Sequence, residues 1–253
     1  MKRGNLYPVQ HQNYYVVAAD LRGYGDSAKP AGLPDHANYA KRAMAQDQVE
    51  VMRALGFKQF LLCAHDRGAR VAHRLCLDHP DAVEKAVFLD IAPTLAMYEQ
   101  TTMEFARAYW HWFYLIQPAP LPETMLGRDP AFYLRSVMSR GDKGLATFTP
   151  EAFAEYLRCA KLPGTIHAMC EDYRAAAGID LEHDRASRAS GEKVKCPLRI
   201  FWGGQGVIER CFKPLTLWGE YATNFGGSAF PGGHYIPEEA PDLLLRELND
   251  FFR

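Results

Sequence analysis

The chain has almost no charge imbalance: 29 Lys and Arg stand against 30 Asp and Glu, with the two signs interspersed and a formal net charge of -1. That excludes a basic stripe for nucleic acid and a polybasic membrane surface. No apolar run approaches the roughly 20 residues of a membrane-spanning helix, and the opening MKRGNLYPVQ lacks the apolar centre of a signal peptide. The six cysteines, Cys63, Cys76, Cys159, Cys170, Cys196 and Cys211, lack the paired spacing of a metal site, and several fall in apolar runs where a reduced thiol packs as a small hydrophobe. A reducing, cytoplasmic setting follows as the expectation. His65, His73, His79, His167 and His183 form no ligand set with the carboxylates, so neither a metal nor another cofactor is expected. There is no internal repeat and no low-complexity tract. The expected partner is a small molecule, not nucleic acid or a membrane, and the composition is compatible with a homodimer.

What is present is an ordinary globular composition over 253 residues, enough for one domain with an insertion or for two domains. Five apolar, β-branched or aromatic runs end in turn residues: YYVVAADLRGYG, QFLLCAHDRG, KAVFLDIAP, LRIFWGGQG and GSAFPGGHY. Helix-like segments separate the first three, over Asn38 to Leu55 and Gly68 to His79. Such alternation predicts an α/β fold with a mostly parallel sheet covered on both faces. Ligands bind such sheets beyond the carboxyl ends of the strands, and Asp66, Asp90 and His234 all fall at those ends. Between Pro93 and Cys196 the alternation lapses into aromatic, helix-forming stretches such as EFARAYWHWFYLI and PEAFAEYLRCAKL, which read as a helical lid inserted over the strand ends. The expected division is a core of 1–94 and 195–253 and a cap of 95–194. DLLLRELNDFF closes the chain as an amphipathic helix.

The stretch FLLCAHDRGAR raises the chemical question. A strand gives way to a helix across Ala64 to Gly68, so that small flanks let one side chain, Asp66, stand clear of a strained turn. At a helix N-terminus the unpaired N–H groups and the helix dipole keep a carboxylate ionised. Arg67 and Arg70 follow three residues apart, on one helix face, where guanidinium forks match a carboxylate ligand.

These residues resemble the α/β-hydrolase superfamily and, within it, the haloacetate (fluoroacetate) dehalogenases. The likeness runs through VVAADLRGYGDSAKP, HDRGARVAHRLCLDHP, VFLDIAPT, YWHWFYLIQPAPLPE, CEDYRA and GGHYIPEEAP. The first and last of these are shared with haloalkane dehalogenases and epoxide hydrolases; the two arginines together with the His-Trp pair are more diagnostic. The resemblance implies a nucleophile at Asp66, a base at His234 and an orienting acid at Asp90. It also implies that Arg67 and Arg70 hold the substrate carboxylate and that His111, Trp112 and Tyr173 donate to the leaving halide. The implied reaction is haloacetate plus water to glycolate plus halide, through an ester on Asp66. A carboxylate displaces halide from a saturated carbon directly, where a serine would first need deprotonation. Because FWGGQGVIER carries Gln205 where many relatives place the acid, Asp90 in FLDIAPT is preferred.

Other readings compete with each assignment. An aspartate after a strand can simply cap a helix, and arginines can be surface ion-pair partners; the small flanks and the distant Gly-Gly-His favour chemistry. Trp110, Phe113 and Tyr114 read as packing residues, and Asp20, Arg22 and Asp26 as partners of one another. Epoxide hydrolysis by the same Asp-His-Asp set is the alternative activity, with Tyr173 and Tyr109 or Tyr114 as proton donors, and a silent hydrolase-fold carboxylate binder is a third. The family begins with three strands before the one read at Tyr14 to Asp20, and the third ends in a His-Gly loop that supplies an oxyanion donor. Only thirteen residues precede that run here, and none of the nine histidines is followed by glycine. The expectation is therefore a chain lacking its natural N-terminal strands, with ester hydrolysis slowed by on the order of 10² to 10³ for the lost donor.

Overall fold

A computed structural model describes residues 14–141 and 143–253. The readings placed on the first thirteen residues lie outside that range.

The QFLLCAHDRG run becomes β1 (Phe60–His65), preceded by α1 (Lys41–Ala54) and followed by α2 (Asp66–Asp78) and β2 (Val83–Leu89). Eight helices come next: α3 (Thr94–Glu99), α4 (Met103–Ala108), α5 (Trp110–Leu115), α6 (Leu121–Arg128), α7 (Pro130–Met138), α8 (Pro150–Ala160), α9 (Thr165–Ala177) and α10 (Ile179–Ser190). The chain then returns through β3 (Leu198–Gly203), α11 (Val207–Cys211), α12 (Pro214–Tyr221) and β4 (Phe225–Phe230), and ends in α13 (Ile236–Glu239) and α14 (Pro241–Phe252). The four strands pair in the order β1-β2-β3-β4, every pair parallel. Their carboxyl ends therefore share one side of the sheet.

A strand covered on both faces needs apolar side chains at every position rather than at alternate ones. β2 meets that requirement, with Ala86, Val87, Phe88 and Leu89 all at most 1% exposed. Val87 and Leu89 join Phe201, Phe230, Ile236 and Leu244 of α14 on one face, while Ala86 and Phe88 join the larger core with Ala69, Ala72 and Leu75 of α2 on the other. β1 differs. Among the described residues it has a single neighbour, and its side chains are partly open, Cys63 the most so.

Three expectations need correction. Among the described residues Tyr14 to Asp20 forms no strand: strand propensity alone does not make a ladder, which needs a paired strand beside it, and Tyr15 and Val16 are exposed. Asp20, Arg22 and Asp26 do not form a mutual ion-pair set. Arg22 is paired to Asp47 at 2.7 and 2.9 Å, and Asp26 to Arg158 at 3.0 Å, because the turn faces helices α1 and α8; only the Asp26 backbone N–H donates to Asp20. Trp110 is 43% exposed rather than packed, since it opens α5 on the outward side, whereas Phe113 and Tyr114 lie against the core.

Candidate active site

Three loops at the carboxyl ends of the strands converge. Asp66 begins α2 with φ 46° and Asp90 follows β2 with φ 50°. A non-glycine residue at positive φ is strained by on the order of 1 to 3 kcal/mol, and the surrounding packing must hold it there. The strain aims both carboxylates at His234, in the loop after β4. His234 Nδ1–H donates to Asp90 Oδ2 at 2.5 Å, and the other Asp90 oxygen accepts the Gly203 N–H at 2.9 Å. Those bonds fix the imidazole so that Nε2 faces Asp66 Oδ2 at 3.7 Å. The His65 ring, 4.7 Å from that of His234, bonds through Nε2 to the His234 carbonyl at 2.7 Å and braces the loop. A Cβ on Gly68 would meet nothing within 4 Å, so crowding does not explain the small residue there.

The electrostatics follow from this geometry. Burial would push the Asp66 carboxyl up, but the facing His234 holds it well below the usual carboxylate range. Burial would pull His234 down, yet Asp66 and Asp90 together raise it to about 9. In the resting site the pair is an anion facing a cation.

Asp66 and His234 open into a cavity of about 460 Å³ that is also lined by Arg67, His111, Tyr173 and Arg140. Arg67 donates through Nε to Asp172 at 2.7 Å, stacks 4.1 Å over the Tyr173 ring, and keeps Nη1 buried without a partner. Asp172 also takes Lys41 and, at 2.6 Å, the Tyr24 hydroxyl. His111 is buried with Nδ1 unpartnered, and burial lowers its pKa well below the ordinary value, so the ring is neutral. Burial raises the Tyr173 phenol, which stays a donor. Arg70 and Trp112 come together behind the wall instead: Arg70 bonds the Ala92 carbonyl (3.2 Å) and Thr94 Oγ1 (2.9 Å) and lies 4.6 Å from the Trp112 ring, and neither residue lines the cavity.

Sequence reasoning missed Asp172, His65 and Arg140. Asp172 had a signal, its place beside Tyr173 in CEDYRA. Arg140, in SRGDKG, reads as an ordinary surface arginine in a glycine-rich loop. Elsewhere, Glu123, His167 and Glu171 place donor atoms within 4.8 Å of one another, but Arg174 already occupies the two carboxylates, at 2.6 and 2.8 Å. Among the described residues no helix is long and apolar enough to cross a membrane.

Residues 2–241 match the family model described as alpha/beta hydrolase fold. The chain is 46% identical to a fluoroacetate dehalogenase from Burkholderia sp over 245 residues, which is 96% of this chain and 80% of that protein. It is 31% identical to a soluble epoxide hydrolase from Corynebacterium sp. (strain C12), covering 98% of this chain and 84% of the other. The crystal structure of ALR0039 from Nostoc sp PCC 7120 superposes with a TM-score of 0.89 at 54% identity, over 92% of this chain and 79% of that one.

Proposed function

From the premise that the chain belongs to the alpha/beta hydrolase fold family and, within it, to the haloacetate dehalogenases, we propose that it hydrolyses the carbon–halogen bond of a short 2-haloacid. The observation that carries this reading is one cavity lined by an ionised Asp66, a His234 locked to Asp90, and Arg67, whose buried Nη1 has no partner. Arg67 binds the substrate carboxylate and offsets its repulsion from Asp66, setting the halogenated carbon for in-line attack. Arg70 contributes its charge to Asp66 from behind the wall.

An Asp66 oxygen attacks the carbon, a C–O bond forms, and the C–X bond breaks. His111 and Tyr173 donate to the departing halide inside the cavity, with Trp112 backing them. Esterification removes the Asp66 charge, one of the two that keep His234 protonated. The imidazole pKa then falls, His234 gives its proton to solvent, and the neutral ring can accept a proton from water only once there is an ester to hydrolyse. Asp90 holds the ring and stabilises the imidazolium while hydroxide attacks the Asp66 carbonyl. The hydroxyacid leaves and the carboxylate returns. In this scheme residues 95–194 are the cap over a core of 1–94 and 195–253, and the six free cysteines suit a reducing, cytoplasmic setting.

Epoxide hydrolysis is the second reading, favoured by the epoxide hydrolase relative and by the tyrosines on the cavity wall, Tyr173, Tyr133 and Tyr235. Arg67 argues against it, because a neutral epoxide leaves its buried Nη1 unpaired. Halide release from fluoroacetate and chloroacetate, set beside ring opening of styrene oxide, separates the two. Single turnover in ¹⁸O-water followed by mass spectrometry of the Asp66 peptide should show the label in that side chain. Substrate binding with no label and no halide would identify a silent carboxylate binder.

A further inference from the structure

The cavity contains a second cation that the scheme above does not use. Arg140 follows α7 in the loop ahead of Gly141 and is half-buried. Its Nε–H donates to the Val137 carbonyl at 2.6 Å, and its guanidinium lies 5.2 Å over the Tyr109 ring. The bond and the ring set the direction of the fork without occupying its terminal amino groups, and among the described residues no carboxylate pairs with it.

Arg67 and Arg140 line the same cavity as Asp66 and His234, yet they stand on separate supports. Arg67 is stacked on Tyr173 and Arg140 on Tyr109, two rings that each pack against His111, at 5.9 and 5.4 Å. Arg140 also reaches an adjoining cavity of about 640 Å³. A reaction cavity of about 460 Å³ is in the range of sites that enclose drug-sized ligands, roughly 300 to 1,000 Å³. Haloacetate, with about five non-hydrogen atoms, leaves most of such a volume empty. An uncommitted guanidinium fork favours a carboxylate, because two parallel N–H bonds match its two oxygens.

We infer that Arg140 binds a second carboxylate on the substrate, so that the preferred class is a 2-halogenated dicarboxylic acid held between Arg67 and Arg140. The inference rests on the Asp66 reading for its chemistry and on Arg140 for its selectivity. With 2-chlorosuccinate, Asp66 forms a C–O bond to the chlorinated carbon as chloride leaves. Water then cleaves the ester to hydroxysuccinate, and its proton passes through His234 to solvent.

The decisive comparison is 2-chlorosuccinate against 2-chlorobutyrate, of similar size but without the second charge, in the wild type, Arg140→Ala and Arg140→Gln. The wild type should favour the diacid in kcat/KM, and both variants should reduce that ratio by roughly tenfold or more, chiefly through KM. A wild type that prefers the monoacid, or an unchanged ratio in both variants, overturns the inference. Calorimetric binding of succinate against butyrate, neither of which can react, tests Arg140 without turnover: a preference for succinate lost in both variants supports it, and equal binding overturns it. Succinate preference without halide release from any haloacid would remove the Asp66 reading and leave the Arg140 site standing.

Discussion

The floor and the roof of the cavity are built on different terms. On the floor, Asp66, Asp90 and His234 stand at the ends of parallel strands, two of them at positive φ, and Asp90 and His234 are fixed by hydrogen bonds to each other and to the backbone. The groups facing them from the segment between β2 and β3 are less tied: buried His111 Nδ1 has no partner, and among the described residues Arg140 is held by its Nε bond and the Tyr109 ring, with its terminal amino groups unpaired. Strand ends anchored in a close-packed sheet hold reacting atoms to within fractions of an ångström, whereas short helices carry donors whose partner is the ligand. In the proposed reaction, chemistry belongs to the floor and selection to the roof.

The sharpest way to break that division is to remove the floor's proposed nucleophile. Asp66→Asn should reduce halide release by about 10⁴-fold or more, measured with a halide electrode, while leaving succinate binding in place; retained turnover would dissolve the distinction. Asp90→Asn should slow turnover by on the order of 10² to 10⁴ by releasing the His234 ring, with the Asp66 ester accumulating in quenched samples because displacement still proceeds. Where floor and roof meet, Asp172→Asn takes the charge from between Arg67 and Lys41 and should cost about 3 kcal/mol of stability in urea titrations, as expected for breaking a buried ion pair. A roof change should do less. Tyr173→Phe removes one halide donor and should lower kcat by roughly ten- to a hundredfold with little change in stability, the loss being larger for fluoroacetate than for chloroacetate.

A further effect is in pH dependence, and it belongs to the floor. The folded pKa of His234 is raised to about 9, above an unfolded value of about 6.5, so its contribution to stability is full below the unfolded value and is lost as pH rises through the folded one. The melting temperature should decline between about pH 6.5 and pH 9. Asp66→Asn should flatten that slope by removing one of the charges that raise the imidazole, and an unchanged slope would place its origin elsewhere.

The floor was far more legible in the sequence than the roof. β1, β2 and β3 coincide with apolar runs bounded by turn residues, and β2, covered on both faces, is the most continuously buried; β4, FGGSAF, carries glycines and partly exposed positions. Asp66 and Asp90 follow those runs directly, and His234 follows β4 after Pro231, Gly232 and Gly233. The Tyr14 to Asp20 run had the same composition and, among the described residues, forms no strand, because composition reports burial preference and not strand pairing. On the roof, His111, Trp112 and Tyr173 were recognised through family likeness, yet only His111 and Tyr173 line the cavity. Arg70 and Trp112 looked equivalent to their sequence neighbours, and helical rotation turned them behind the wall.

Local pattern by itself determined the parallel sheet, the strand-to-helix turn at Asp66 and the placement of three polar residues at strand ends, because these depend on side-chain period and backbone sterics over a few residues. Tertiary structure alone decided that Asp172 would hold Arg67, that Arg70 would retreat from the cavity and that Arg140 would enter it. Those outcomes depend on which distant helices pack together, and the energy of a buried charge is set by neighbours that the chain brings near only when it folds.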